Sequence, residues 1–439
     1  MSYSRYRAAG GDCVYIENQR GLLYLSDGEL FTKENNWLKD TDAIKKYVSI
    51  KKSLKKRKHV GALRILLGHG CNYACGYCMQ KDIGNPFERS KNKNTDKFIS
   101  DLKQYLDVSH LQRVELWGGE SLLYWKDIQA IITELDKPDV EFYICTNGSP
   151  LKQKHLDFFA TVSGKISITI SHDGPGQEAQ RGPDIIEKKA DLIRKMGEMH
   201  PKIGFSFNTV LTKNNCDLFA INDYFKNVRD TYNVPVQIVL SMAQIYDATD
   251  INNEWAIVGD DLLKFQQTLR SYLEASRDQF LKIGPTRDGD IMFNSLFNFA
   301  DGVVPILEEF DSEEIRLHHT NCGAASEDVI SLDINGDIRL CPHSGEEFKY
   351  GRIETIESVV IKDISLDRNE THCKDCAVYR LCHSTCPITI PYPVFLKNCD
   401  AEKVFYTEKQ RMALSILVNQ NVELEDWGLE SISDDSKLL

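Results

Sequence analysis

No apolar run in the 439-residue sequence is long enough to cross a bilayer, so a soluble protein with no membrane partner is expected. The stretch MSYSRYRAAGGD at the N-terminus lacks the apolar core of a secretory signal, which makes the cytoplasm the expected location. Positive charge is not in excess either. With 53 Lys and Arg against 65 Asp and Glu the formal net charge is −12. General binding to nucleic acid needs a basic surface to neutralise phosphates, so no nucleic-acid partner is expected. The one basic stretch, KKYVSIKKSLKKRKH at 45–59, reads as a solvated helix face without function. Internal repeats and low-complexity blocks are also missing. Hydrophobic content of 42% and charged content of 27% are ordinary for a globular chain, and the length predicts two or three domains.

What the sequence does have is cysteine, thirteen in all. In a large chain without export signals that number points to metal or redox chemistry rather than disulfides. Cys13, Cys145 and Cys216 are scattered, Cys71, Cys75 and Cys78 share one loop, and seven lie between Cys322 and Cys399. Two metal-bearing regions are therefore expected.

Residues 12–32 carry β-rich runs broken by Arg-Gly and Asp-Gly and predict a small meander, with a helix over 41–58. From Arg64 onward short apolar strands alternate with amphipathic stretches: ALRILL, FISDLKQYL, VELW, WKDIQAIITEL, VEFYICTN, ISITISHDG, IIEKKADLIRKM, IGFSFNTV, CDLFAINDYFKNV and VPVQIVLS. Such alternation predicts βα units with parallel strands and an active site at the strands' C-terminal ends. A long polar helix over 260–283 follows as a bridge. In DVISLDINGDIRLC, Asn-Gly between alternating runs predicts a hairpin. Around it metal is expected to replace a hydrophobic core, and the tail from about 401 should be a helix with a frayed acidic end.

Cys71, Cys75 and Cys78 stand as C-x3-C-x2-C in HGCNYACGYCMQ, a spacing that chance would produce in roughly one such chain per hundred. Three thiolates need a cation, either zinc, with His69 as a possible fourth ligand, or an iron–sulfur cluster. The triad follows a strand and opens a βα series, a position that builds catalytic mouths rather than structural knuckles.

With Tyr77 before the last cysteine, the motif resembles the signature of radical SAM enzymes. The resemblance implies a partial (β/α)6 barrel of TIM type within an α/β protein. It also implies a [4Fe-4S] cluster on the three cysteines, whose fourth iron binds S-adenosylmethionine (SAM) and cleaves it to a 5′-deoxyadenosyl radical. Gly118, Gly119 and Glu120 in ELWGGES are similar to the family's Gly-Gly-Glu element, in which the carboxylate is expected to accept from the SAM ammonium. Asn147 in CTNGS, Ser171 in TISHDG and Arg181 are similar to further SAM-contacting positions.

The run THCKDCAVYRLCHSTCP gives Cys373, Cys376, Cys382 and Cys386, with Cys399 beyond and Cys322 and Cys341 upstream. Two of them alone would read as a zinc ribbon. After the first motif, the series resembles the SPASM extension, which carries two auxiliary [4Fe-4S] clusters and brings the total to three. The resemblance implies that Cys373, Cys376, Cys382 and Cys399 bind one cluster and that Cys322, Cys341 and Cys386 bind the other. EEIRLHHTN holds no eighth cysteine before Cys322, so an open iron or a ligand such as His318 or His319 is expected.

The resemblance covers about residues 63–400. It divides the chain into a small N-terminal α+β module at 1–62, a barrel at 63–244, a helical bridge at 245–320, a Cys-rich SPASM domain at 321–405, and a helix with an acidic tail at 406–439. Enzymes of this architecture mostly modify peptides. The implied function is a maturase that crosslinks a ribosomally made precursor peptide, supplied with electrons by a reductant such as flavodoxin or ferredoxin. Residues 1–62 are candidates for gripping a leader peptide. A second reading is formylglycine formation on a protein. It is disfavoured because Pro342 and His343 follow Cys341 where those relatives place Asp. A non-catalytic iron–sulfur scaffold or carrier is the third. No general base is identifiable; His172, Asp173 and His343 are weak catalytic candidates.

Overall fold

The computed structural model describes residues 2–18, 23–25, 53–80, 94–234, 236–243, 254–283, 291, 294–298, 302–310, 324, 326–362, 372–373, 375–382, 386 and 392–429. Near the N-terminus lie β1 (Tyr3–Ala8), β2 (Cys13–Glu17), β3 (Leu23–Leu25) and β4 (Ser53–Lys55). The alternating body follows as β5 (Ala62–Leu66), α1 (Thr95–Tyr105), β6 (Arg113–Trp117), α2 (Trp125–Leu135), β7 (Glu141–Thr146), α3 (Gln153–Thr161) and β8 (Lys165–Ser171). It continues through the short α4 (Gln177–Gln180), α5 (Ile186–Glu198), β9 (Ile203–Leu211), α6 (Leu218–Tyr232) and β10 (Ile238–Met242). After it come α7 (Asp261–Ile283), α8 (Val303–Phe310), β11 (Val329–Asp333), β12 (Asp337–Arg339), β13 (Lys349–Arg352), β14 (Val360–Lys362), α9 (Tyr379–Cys382), α10 (Tyr392–Leu417) and β15 (Val422–Leu429).

The main sheet has the order β10-β9-β8-β7-β6-β5-β11-β12-β13. Its six strands from β5 to β10 are parallel and in sequential order, as the strand–helix alternation predicts. This is an α/β fold with a mixed sheet and surrounding helices, consistent with a partial-barrel core. Helix periodicity explains the packing: α2 buries Ile128, Ile131, Ile132 and Leu135 on one face. Capping fixes where helices start: Asn94 accepts from Lys97 N ahead of α1, and Asp217 accepts from Phe219 N and Ala220 N ahead of α6.

Three expectations need correction. The end of the predicted 41–58 helix is the strand β4, paired antiparallel with β14, because a distant partner satisfies its backbone; the earlier part lies outside the described residues. The Asn-Gly hairpin forms, with Gly336 at φ +85°, but β11 pairs parallel with β5. Ile330, Leu332 and Ile338 are consequently fully buried in the main core, so this hairpin does have an apolar core to pack on. Finally, the helix before the tail starts earlier than expected, at Tyr392, and is followed by the strand β15, while the acidic end at 430–439 lies outside the described residues. β15 pairs antiparallel with β1, making a four-stranded sheet β15-β1-β2-β3 from the two ends of the chain.

Helices α7 and α10 are joined through Glu408, whose fully buried carboxylate accepts from Gln266 Nε2 at 2.7 Å, Arg270 Nη2 at 2.9 Å and Arg411 Nε at 2.9 Å. Burial disfavours this charge, but the three partners prevail and hold its pKa below the usual glutamate range. Its contribution is therefore present at neutral pH and lost as pH falls through the folded-state pKa. Glu408→Ala should lower stability by about 1–3 kcal/mol, because it takes the shared acceptor from three donors while Arg411 keeps Glu274; chemical denaturation at neutral pH measures the loss.

Candidate active site

The C-terminal ends of the parallel strands open into one cavity of about 810 Å³. Cys71, Cys75 and Cys78 form one wall on the loop after β5, and Tyr77, Gly118, Gly119, Glu120, Asn147, Ser171, Arg181, His343 and Cys386 also line it. Residues spread over more than 300 positions of sequence thus share one space.

The glycine pair lets two loops touch. Gly119 N donates to Gly68 O at 2.9 Å and Glu120 N to Gly70 O at 2.9 Å. A Cβ at Gly119 would collide with the His69 carbonyl and lie 2.7 Å from Gly70 O, so only glycine fits. Glu120 is buried, and three hydrogen bonds occupy its carboxylate: from Leu122 N at 2.9 Å, Thr146 Oγ1 at 2.6 Å and Asn147 N at 2.6 Å. Burial still leaves its pKa above the ordinary value. Glu120 therefore ties β6 to β7, with most of its acceptor capacity already used. Asn147 extends the tie, donating from Nδ2 to Asn72 Oδ1 at 2.9 Å within the cysteine loop.

A second carboxylate anchors the other end of that loop. Asp173 is fully buried, accepts from Val210 N at 2.9 Å and Gln180 Nε2 at 3.2 Å, and accepts from the Tyr77 hydroxyl. Arg181 Nε lies 3.1 Å from Asp173 Oδ2, as an ion pair whose geometry is too bent for a hydrogen bond. The Arg181 guanidinium also sits 5.3 Å from the centre of the Tyr77 ring. Burial opposes the Arg181 charge, but Asp173, Tyr77 and Cys75 raise its pKa, so it stays cationic at the cavity wall.

Burial raises the Cys71 pKa and, with neighbouring thiols adding to it, pushes Cys75 up to about 11. Cys71 and Cys75 are thus thiols at neutral pH, and a bound cation would favour their thiolates. Among the described residues no group of three or more His, Cys, Asp or Glu side chains is arranged to hold a single metal ion. Three soft donors on one wall of a roomy cavity, facing a buried arginine, fit a larger iron–sulfur group and an anionic co-ligand.

Of the weak catalytic candidates, the structure takes two away from the cavity. His172 is fully buried behind it, with Nε2 3.1 Å from Asp184 Oδ1, Nδ1 accepting from Gly174 N at 3.1 Å, and its ring stacked on Tyr224. Asp173 is the anchor just described. His343 does line the cavity, edge-on to Trp117 with ring centres 4.7 Å apart, and its Nδ1 accepts from Gln80 Nε2 at 3.2 Å. Burial, then the charges of Arg64 and His69, push its pKa down to about 4, so the imidazole is neutral.

Cys373, Cys376, Cys382 and Cys399 surround a second, small cavity with His372 and Lys403. Burial pushes the Cys399 thiol up to about 12. Cys386 lies at the main cavity instead, and Cys341 packs partly buried against the core. Cys322, His318 and His319 lie outside the described residues. Sequence reasoning missed Cys145, whose thiol is 3.5 Å from Ser171 Oγ, although strand alternation puts it on the face of Asn147. It also missed Trp117 and the wall built by Leu240, Met242, Glu402, Phe405 and Tyr406, for which no local motif exists.

A model of the radical SAM superfamily matches residues 65–219, the segment that carries the cysteine loop, Glu120, Asn147, Asp173 and Arg181. That segment, a part of the chain, is similar to a radical SAM catalytic domain. Among curated proteins it is 22% identical over 196 residues to the radical SAM cyclopropyl synthase TigE of Paramaledivibacter caminithermalis, covering 40% of each chain. It is 31% identical over 161 residues to the GTP 3′,8-cyclase of Campylobacter lari, covering 34% of this chain and 47% of that protein. The chain thus spans about half the length or less of these relatives. Among solved structures its fold resembles native anSMEcpe with bound AdoMet, with TM-score 0.56 and 16% identity over 82% of this chain and 99% of the other. It also resembles Streptococcus suis SuiB bound to precursor peptide SuiA, with TM-score 0.50 and 15% identity over 75% and 72%. Among the described residues no helix is long and apolar enough to cross a membrane.

Replacing Asp173 by Asn keeps the shape, but it removes the counter-charge of Arg181 and the acceptor for Tyr77. Asp173→Asn should cost about 3–5 kcal/mol of stability, and Tyr77→Phe only about 1 kcal/mol, in paired denaturation curves.

Proposed function

We propose that the protein uses SAM-derived radical chemistry to oxidise a residue within a peptide. The observation that carries this reading is the cavity that gathers three thiols, Arg181, His343 and a set of apolar side chains. When bound, an iron–sulfur cluster on Cys71, Cys75 and Cys78 together with SAM would supply one-electron cleavage and a hydrogen-atom abstraction. The chain's own residues bind and shield. Arg181, kept cationic by Asp173, offers its remaining donors to a carboxylate, and Asn147, Ser171 and the Gly118–Gly119 backbone offer polar partners to the rest of SAM. Leu240, Met242, Phe405 and Tyr406 exclude water from the reacting carbon. His343, held beside the cysteine loop by Gln80, presents a neutral imidazole to the same cavity.

A peptide substrate is supported by the fold shared with anSMEcpe, solved with AdoMet and a Kp18Cys peptide, and with SuiB, solved with its precursor peptide. Two products suit such a site: a crosslink within a precursor peptide, and an aldehyde made from a cysteine or serine. The fold match runs further along anSMEcpe, which favours aldehyde formation. His343, two residues after Cys341, lines the cavity, while Pro342 stands directly after that cysteine where the aldehyde-forming relatives place an aspartate, which weighs against aldehyde formation. Electrons would come from a small reductant of ferredoxin or flavodoxin type, and further iron–sulfur clusters on the C-terminal cysteines belong to the same reading.

The test is anaerobic turnover of the iron-loaded protein with SAM, dithionite and peptides encoded beside its gene or bearing a single cysteine. Release of 5′-deoxyadenosine is expected, with a peptide that reacts with a hydrazide probe for an aldehyde or loses two hydrogens without such reactivity for a crosslink. No 5′-deoxyadenosine from fully loaded protein would leave an iron–sulfur scaffold as the better account. Cys71→Ala should abolish that release while iron bound by the C-terminal cysteines persists, as metal analysis would record.

A further inference from the structure

The N-terminal sheet reaches the second thiol site at the two peptide groups that flank Cys376. Asn18, just after β2, is buried with 1% of its surface exposed. Its Nδ2 donates to Ser2 Oγ at 3.1 Å and to Asp375 O at 3.1 Å, while its Oδ1 accepts from Ser4 Oγ at 2.6 Å. On the other side Gln410 of α10, 4% exposed, donates from Nε2 to Ala377 O at 3.2 Å and to the hydroxyl of fully buried Tyr6 at 2.8 Å. Asp375 and Ala377 are the residues immediately before and after Cys376. Two buried amides, neither near in sequence, thus hold the carbonyls on either side of one thiol.

Neither amide is needed to complete its own element. β1 and β2 are already paired along their length, and Gln410 lies in the middle of a continuous helix. Each buried side-chain amide has to find partners or incur desolvation, and here each finds them in the backbone of the cysteine turn. Short-range bonds, Cys376 N to Cys373 O at 3.0 Å and Tyr379 N to Cys376 O at 3.1 Å, fix the turn's local shape, and its start meets α10 through the His372 Nε2–Cys399 Sγ contact at 3.7 Å and the packing of Cys373 on Phe395 and Cys399, while the two amides add direct hydrogen bonds to the carbonyls that flank Cys376. Four thiols around one small cavity fit a cation-bearing group, and they can share it only if the turn and the helix keep a fixed relation.

We propose that Asn18 and Gln410 are positioning residues for Cys376, and that the sheet joining the two ends of the chain serves to set the geometry of the Cys373, Cys376, Cys382 and Cys399 site. This assignment is independent of which peptide is oxidised and of what else residues 1–62 bind.

Asn18→Asp and Gln410→Glu keep size while replacing the donor to Asp375 O or Ala377 O by an acceptor, and Tyr6→Phe removes only the far partner of Gln410. Two readouts use the full-length chain. In iron-free protein, the rate of iodoacetamide labelling at Cys376, followed by peptide mass spectrometry against Cys216 as internal reference, should rise several-fold in the first two variants and stay near wild type in Tyr6→Phe. In iron-loaded protein carrying Ala at Cys71, Cys75 and Cys78, the reduced electron paramagnetic resonance spectrum should change in the first two variants and not in the third. A purely structural role would lower the melting temperature without altering the Cys376 to Cys216 ratio or the spectrum. That outcome overturns the proposal, as does a labelling ratio that changes equally in all three variants. Should a charged variant fail to fold, Asn18→Ala and Gln410→Ala carry the same expectation.

Discussion

The buried ion pair of Asp173 and Arg181 governs the shape of the candidate active site. A carboxylate with no solvent exposure is costly unless its lone pairs are occupied, and this one collects partners from three places at once. The cysteine loop supplies Tyr77, the segment after β8 supplies Gln180 and Arg181, and β9 supplies Val210 N. Satisfying one charge therefore fixes the loop that bears the thiols relative to two strands. The same pairing keeps a cationic guanidinium at a cavity that would otherwise reject it.

Glu120 repeats this logic one pair of strands away. Its three hydrogen bonds hold the glycine loop after β6 against Thr146 and Asn147 at the end of β7, while Asn147 in turn holds Asn72. Two buried carboxylates thus fasten the cysteine loop from opposite sides, so that cavity-facing side chains remain available to a ligand. The Glu120 carboxylate at the end of the Gly-Gly-Glu element is thus largely committed to the protein's own groups.

The legible parts of the molecule are the local ones. Cys71, Cys75 and Cys78, the glycine pair, and the strand–helix alternation all declare themselves within a dozen residues, because tight turns, shared ligands and amphipathic periods are short-range constraints. The illegible parts depend on partners far along the chain. β4 looked helical because its charged surroundings suit a solvated helix, and only pairing with β14 makes it a strand. The β11 hairpin was recognisable as a hairpin, but nothing in its own residues says that it extends the barrel sheet beside β5. Asp173 read as a polar residue near a mouth; its burial follows from Arg181 and Tyr77 folding over it. Phe405 and Tyr406 carry no motif at all, since an aromatic pair on a helix usually means core.

Helix α10 connects what the sequence divides. Cys399, Glu402 and the Phe405–Tyr406 pair recur at helical spacing, so the second thiol site and the wall of the main cavity lie along one side of one rod. Seven residues of α-helix from Cys399 to Tyr406 span about 10 Å, a separation that a continuous helix does not let vary. The rod is held at its far end by Glu408 against α7 and by Gln410 against β1, and β15 then returns the chain to pair with β1. The ends of the polypeptide are therefore part of the frame that sets the distance between the two sites. Without the β15–β1 pairing α10 would lose one of its ties to the N-terminal sheet, and the relation between the cavity wall and the second thiol site would be less firmly set.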